Sequence, residues 1–255
     1  MTTHILAMGG GGFSMSDDGA ATAFDRFALG LTGRERPTVC FVPTASGDAA
    51  EYVDRFESAY ASLDCETRVL ELFRRRTSDV REVLAGVDLL MVGGGSTVNL
   101  MALWDLHGVT AALREITATR DLVLAGVSAG ANCWFEACST DALGPEVAAW
   151  HGGMGFLAGS FCPHYDGEEQ RRPHHHGVVA SGALPGGWAA DDGAAVHAVD
   201  GRVVAHLAER PGARTYRVEP DGAGGVRCEA RAVTPVYWTS PTVQRVAGTP
   251  ASTCG

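Results

Sequence analysis

Apolar residues along this chain come in short runs separated by longer amphipathic stretches. Residues 5–8, 38–43, 67–72, 88–92 and 122–127 read as strands, and 51–63, 79–85 and 98–120 carry apolar positions at helical spacing. Strand runs alternating with helical patterns predict βαβ units, hence an α/β fold with a mainly parallel central sheet flanked by helices. Most strand runs end in small or turn residues: 9–12, 44–47, 93–97 and 128–130. In an open parallel sheet the loops at the carboxyl ends of the strands share one rim, where ligands bind. From residue 186 the texture changes to short runs broken by Asp192-Gly193, Asp200-Gly201 and Asp221-Gly222, a pattern that predicts antiparallel hairpins extending the sheet. There is no internal repeat. The stretch 243–255, rich in Ala, Thr, Pro and Gly, reads as a tail, either an ordered cap or a frayed end.

Composition narrows the class. With 255 residues, 45% apolar and 20% charged, the chain fits one large α/β domain over 1–255. A net charge of -10 argues against nucleic acid or an anionic membrane as partner. The one basic patch, Arg74-Arg75-Arg76, is short and sits among carboxylates. No charged n-region precedes the run 5–8, and no apolar run approaches the ~20 residues of a membrane span, so a soluble cytoplasmic protein is expected. The seven cysteines form no C-x-x-C pair, and Cys40, Cys133 and Cys162 fall in apolar runs where Cys behaves as a small hydrophobe. Neither a disulfide framework nor a cysteine zinc site is expected.

The strongest chemical signal is Gly126-Val127-Ser128-Ala129-Gly130, which follows an apolar strand and precedes a segment able to start a helix. That arrangement presents a serine on a tight turn at the top of a parallel sheet, with glycines where strand and helix approach closely. Ser128 is the candidate nucleophile. A serine needs a base, and His164 follows the strand-like Phe161-Cys162-Pro163 and opens a polar cluster running to Arg172. The run His174-His175-His176 invites a metal reading, but adjacent helical residues share no face, so a solvated helical turn after Pro173 is expected. Three acids, Asp141, Asp191 and Asp192, lie near predicted strand ends or turns and remain open as the orienting acid. The loop 93–97 offers backbone N–H groups free of side chains, suited to an oxyanion beside the N–H of Ala129. It lacks the Gly-Lys-Ser/Thr of a P-loop.

Together, Met8-Gly9-Gly10-Gly11, Val42-Pro43-Thr44-Ala45, Val92-Gly93-Gly94-Gly95-Ser96-Thr97, Gly126 to Ala131 and Pro163-His164-Tyr165-Asp166 resemble the peptidase E (aspartyl dipeptidase) family of serine peptidases, to which cyanophycinases are related. The resemblance spans residues 5–199 in the family's order. It implies a three-layer, flavodoxin-like fold similar to class I glutamine amidotransferases, with a serine replacing the amidotransferase cysteine. It implies Ser128 as nucleophile and His164 as base. The family's acid lies in an acid-Gly turn, usually as Glu; the matching residue here is Asp192, one methylene shorter. Either the backbone compensates or Asp141 takes the role. The resemblance further implies cleavage of dipeptides that begin with Asp, an arginine for the substrate carboxylate (Arg171 or Arg172), and Ser96, Thr97 and Tyr165 along the substrate rim. Gly94, Gly95 and Ala129 are the oxyanion candidates. No metal or organic cofactor is expected, and the expected partner is a small acidic peptide, with a homodimer as the commonest assembly for such enzymes. Hydrolysis of β-linked aspartyl chains of the cyanophycin type, and a non-catalytic module holding an anion or acidic peptide, are the competing readings.

Overall fold

Alternate residues of the first strand, β1 (Thr3–Met8), enter different apolar clusters, Ile5 and Ala7 one, Leu6 and Met8 the other. That period of two is what extended chain imposes, and it means β1 is covered on both faces. In the computed structural model, which describes residues 1–74 and 79–236, β1 is followed by a 3₁₀ turn (Gly12–Met15), α1 (Ala23–Leu31), β2 (Thr38–Val42), α2 (Ala50–Tyr60) and β3 (Glu66–Val69). Then come α3 (Val80–Leu84), β4 (Leu89–Val92), α4 (Thr97–His107), α5 (Val109–Thr119), β5 (Leu122–Val127) and the short α6 (Ala129–Asn132). The second half comprises β6 (Phe135–Thr140), β7 (Ala148–His151), β8 (Leu157–Cys162), α7 (Arg171–Ala180), β9 (Gly187–Ala190), β10 (Ala194–Val199), β11 (Arg202–Ala208), β12 (Thr215–Pro220), β13 (Val226–Ala230) and β14 (Thr234–Pro235).

Eight strands form the central sheet in the order β14-β11-β10-β1-β5-β4-β2-β3. From β1 through β5, β4 and β2 to β3 every pairing is parallel, and β10 and β11 add an antiparallel hairpin at the other side. Helices α1 and α2 bring Phe24, Phe56 and Tyr60 onto the face of Leu6 and Met8, while α4 and α5 bring Leu100, Trp104 and Leu113 onto the face of Ile5 and Ala7. Buried apolar layers on both faces supply the main favourable term in the fold's stability.

The structure departs from the pattern in three places. The helical stretch 98–120 is two helices, because Gly108 adopts φ +77°, ends α4 as a left-handed cap and starts α5 in a new direction. The Gly-rich C-terminal strands do not all extend the central sheet: β9, β12 and β13 join β6, β7 and β8 in a second, six-stranded sheet ordered β13-β12-β9-β8-β6-β7. Helix α1 was not visible as periodicity; Thr22 caps it and Asp25 Oδ2 accepts in return from the Thr22 N–H at 2.7 Å, a capping box that marks its start. Arg75, Arg76 and the stretch 243–255 lie outside the described residues. Among the described residues no helix is long and apolar enough to cross a membrane. Cys40, Cys133 and Cys162 are buried, and burial raises the thiol pKa of each.

Candidate active site

The elbow after β5 is tight because two glycines let chain segments touch. A Cβ at Gly126 would overlap the Gly130 carbonyl, and one at Gly130 would overlap the Val92 carbonyl oxygen, so α6 lies directly across the ends of β5 and β4. Between these glycines Ser128 is held at φ +55°, ψ −114°, a conformation that costs a non-glycine residue about 1–3 kcal/mol. Its side chain makes no capping bond. Its N–H donates to the Met8 carbonyl at 3.2 Å.

The end of β1 acts as a rail for the other candidates. Immediately after Met8, the Gly9 carbonyl accepts from the His164 N–H at 3.2 Å, and the Gly10 carbonyl accepts from the Gly193 N–H at 2.9 Å. Three consecutive carbonyls thus anchor the Ser128 elbow, the His164 loop after β8 and the Asp192-Gly193 turn before β10. The glycines are needed here, since a Cβ at Gly9 would meet the Ala190 and Asp191 carbonyls and one at Gly10 would overlap Asp192 Oδ1. A Cβ at Gly167 would overlap Asp192 Oδ2 from the other side.

Within this frame His164 Nδ1 and Asp192 Oδ1 lie 2.7 Å apart, with both side chains partly exposed. The hydrogen bond to His164 is the largest influence on Asp192 and holds its carboxyl below the ordinary carboxylate range; partial burial opposes it, and the nearby charges of His164 and Arg210 add to it. Of the three acids, Asp192 is the one against His164. Asp191 instead accepts from the Arg214 N–H at 2.9 Å and from the Tyr216 hydroxyl at 3.2 Å, and burial raises its pKa. Asp141 pairs at 3.4 Å with Arg171.

The loop after β4 runs beside the elbow: a Cβ on Gly94 would lie 3.5 Å from Ser128 Cβ. The Gly94 N–H donates to the Tyr52 hydroxyl at 3.2 Å, and that hydroxyl lies 2.5 Å from Ser14 Oγ. Sequence gave no hint of Tyr52 or Ser14, because they reach the rim from α2 and from the turn after β1. The Ala129 N–H opens a helix, where no intrahelical carbonyl exists for it. Gly95 sits at φ +135°, where a Cβ would overlap the Ala45 carbonyl.

Several residues expected along the substrate rim serve the framework instead. Thr97 is buried and its Oγ1 accepts from Asn132 Nδ2 at 3.2 Å. Ser96 caps α4, its Oγ accepting from the Asn99 N–H. Tyr165 is buried, with its hydroxyl 2.6 Å from His176 Nε2. Arg171, 2% exposed, is spent on Glu168 at 2.5 Å, Asp141 and the Ser139 carbonyl at 3.2 Å. Arg172 is different: the residue is exposed, and its guanidinium lies 4.5 Å from the Tyr165 ring centre and 4.9 Å from that of Tyr216. The three histidines are not a solvated turn either. Arg171, His175 and Val179 form one buried face of α7, with His175 Nδ1 3.0 Å from Ser139 Oγ and its pKa lowered by burial to about 3. Among the described residues no group of histidine, cysteine and carboxylate side chains could hold a metal ion.

Comparison with known proteins agrees with this architecture. The sequence profile of peptidase family S51 matches residues 5–205. The uncharacterized peptidase YgaJ of Bacillus subtilis (strain 168) is 46% identical over 215 residues, which cover 84% of this chain and 91% of that protein. The crystal structure of a peptidase from an acI-B1 Actinobacterium superposes with a TM-score of 0.64 at 14% identity, covering 91% of this chain and 94% of the other. A 1.5 Å structure from Listeria monocytogenes EGD-e, provisionally assigned as peptidase E, gives a TM-score of 0.56 at 17% identity over 82% of this chain and 99% of that one. These two structures share the fold. The profile match over most of the chain, together with the YgaJ identity, places it: the chain belongs to peptidase family S51 and is a serine peptidase.

Proposed function

We propose that this serine peptidase hydrolyses small acidic peptides, releasing an N-terminal aspartate from Asp-X dipeptides, with Ser128 as nucleophile, His164 as general base and Asp192 as the acid that orients it. The observation that carries the reading is the 2.7 Å contact between His164 Nδ1 and Asp192 Oδ1, on the same strand end that anchors the Ser128 elbow. An imidazole whose Nδ1–H donates to a carboxylate keeps Nε2 as the lone-pair nitrogen, the tautomer a general base needs. Ser128 Oγ attacks the scissile carbonyl while His164 Nε2 takes its proton. The same proton goes to the leaving amine, and water then hydrolyses the acyl-enzyme by the reverse use of His164. The N–H groups of Ala129 and Gly95 hold the oxyanion; that of Gly94 joins them only by leaving the Tyr52 hydroxyl.

For the acidic substrate, Arg172 supplies the charge. It is an exposed residue with no carboxylate of the described residues against it in an ion pair, whereas Arg171 is buried and already neutralised by two carboxylates. Stacking on two tyrosine rings fixes the plane of the fork, which suits bidentate pairing with a carboxylate.

The test is hydrolysis of Asp-X, Glu-X, Asn-X, Ala-X and β-Asp-X dipeptides by the wild type and by Ser128→Ala, His164→Ala and Arg172→Ala. Wild type is expected to cleave Asp-X, and each of the first two variants to lose on the order of 10⁴-fold or more in kcat. Arg172→Ala is expected to lose about 10- to 100-fold in kcat/KM on Asp-X, the size of one charged hydrogen-bonding partner, and nothing on Ala-X. Activity retained by Ser128→Ala would sink the mechanism. Preference for β-Asp-X would reassign the substrate to the cyanophycin type, and preference for Ala-X would remove the acidic reading.

A further inference from the structure

Three bonds close a ring around the Asp192 peptide. Its N–H donates to Asp166 Oδ1 at 2.8 Å, its carbonyl accepts from Arg210 Nε at 2.9 Å, and Arg210 Nη2 pairs with Asp166 Oδ2. Two side chains therefore grip both polar groups of one residue's backbone and also grip each other, leaving the Asp192 carboxylate to His164. Arg210 follows the carboxyl end of β11 and Asp166 lies two residues beyond His164, so the ring ties the base loop, the acid turn and the central-sheet hairpin together. The next residue fits the same device. Gly193 adopts φ +74°, and a Cβ there would lie 2.6 Å from Arg210 Cβ.

We propose that Asp166 and Arg210 are a positioning pair whose task is to set the Asp192 backbone at the distance from which a short acid reaches His164. The inference rests on the triad proposed above. An aspartate places its carboxylate on a single methylene, so it cannot make up for a backbone displaced by an ångström, whereas a glutamate could by changing rotamer. Gly10 and Gly167 wall the carboxylate on two sides, which removes sideways adjustment as well. What remains adjustable is the position of the peptide itself, and that is what the ring fixes. The pair is half-exposed, with side chains 48% and 35% accessible, so its direct worth to stability is small. Its effect should therefore appear in catalysis with little change in folding.

Arginine is required in this arrangement because one guanidinium donates from Nε and Nη2 to two acceptors at once; a lysine keeps the charge but has one nitrogen. The decisive variants are Arg210→Lys and Asp166→Asn, with Arg210→Ala and the Arg210→Ala/Asp166→Ala pair alongside. The readout is the rate at which a fluorophosphonate phosphonylates Ser128, forming the Ser128 O–P bond and expelling fluoride while His164 takes the hydroxyl proton. It needs no knowledge of the peptide substrate. Thermal unfolding is followed in parallel, and kcat and KM are measured on the best dipeptide.

Each single variant, Arg210→Lys included, is expected to slow phosphonylation and lower kcat by about 10- to 100-fold, the scale of a small misplacement of catalytic groups. KM should stay within about twofold, and the double variant should be no slower than Arg210→Ala alone, because one ring is broken once. Wild-type rates in Arg210→Lys would show that charge alone suffices and would overturn the ring as a positioning device. Wild-type rates in all variants, with labelling that still requires Ser128 and His164, would overturn the inference and leave the triad standing. Wild-type protein that is not labelled at Ser128 would overturn the triad itself.

Discussion

Ser128, His164 and Asp192 are each held by backbone hydrogen bonds to the chain at the end of β1, made by Ser128, His164 and the Gly193 that follows Asp192. Ser128 and His164 both sit at positive φ, +55° and +51°, and their N–H groups are fixed on the neighbouring carbonyls of Met8 and Gly9 at the end of β1. The glycine-flanked serine could be read from sequence because Gly126 is demanded by the Gly130 carbonyl and Gly130 by the Val92 carbonyl, and the two stand on either side of Ser128. Position along the chain alone left Asp191, Asp192 and Asp141 open as the acid; only the family resemblance favoured Asp192, with Asp141 as alternative, and it is Asp192 that lies against His164. Gly167 shows how narrow that placement is. A Cβ there would overlap Asp192 Oδ2, yet Gly167 is exposed and not at positive φ, so the fold tolerates an alanine while the carboxylate must move. Under the proposed triad, Gly167→Ala is expected to lower kcat by about 10- to 100-fold with the melting temperature within a few degrees of wild type. Steady-state kinetics and a thermal melt on the same preparation check it; unchanged kcat would mean the carboxylate has room the structure does not show.

At the scale of elements, the parallel half of the sheet was legible because its inner strands are apolar runs buried on both faces, as in 89–92 and 122–127, while the edge strand β3 is largely exposed. The second sheet was not, since β7 is only partly buried and β13 mostly exposed, and neither carries an apolar run that distinguishes one sheet from another. Helix α7 was misjudged for a related reason. Its buried face reads Arg171, His175, Val179, a spacing of four in which two members are polar and so invisible to a hydrophobic pattern. The opposite face of α7 carries Gly177, exposed and with open space where a Cβ would project. Alanine there limits the unfolded chain's freedom without a clash, so Gly177→Ala is expected to raise stability by about 0.5–1 kcal/mol. Denaturant unfolding measures this, with the midpoint moving up at unchanged slope; activity should stay at the wild-type level.

For the whole molecule, buried titratable groups set how stability depends on pH. Burial lowers His175 to about 3 and His197, beside His4, to about 4, against an ordinary value of 6.5. These groups stay neutral in the native state while the unfolded chain takes up protons, so their stabilising contribution is complete above pH 6.5 and is lost as pH falls toward 4. Asp25 acts in the opposite sense. Burial raises it to about 6 from 3.8, despite hydrogen bonds from Thr22 and Tyr60, so the native state takes up its proton first and gains stability as pH falls through 6. Between pH 6 and 4 two histidine protons favour the unfolded state and one aspartate proton favours the native state. His4, His174, His176 and His206, all lowered chiefly by burial, add to the histidine side, and Asp191, raised chiefly by burial, joins Asp25 on the other. The net sign is a loss of stability on acidification, with each unmatched proton contributing at most about 1.4 kcal/mol per pH unit. Urea unfolding from pH 7.5 to 4.5 is expected to show that decline. Asp25→Asn should make it steeper by removing the opposing proton, and His197→Gln should make it shallower. A wild-type curve that is flat or rises toward pH 4.5 would mean that these histidines are protonated in the folded protein, and that the packing around α7 and the His4–His197 pair opens to water as the medium acidifies.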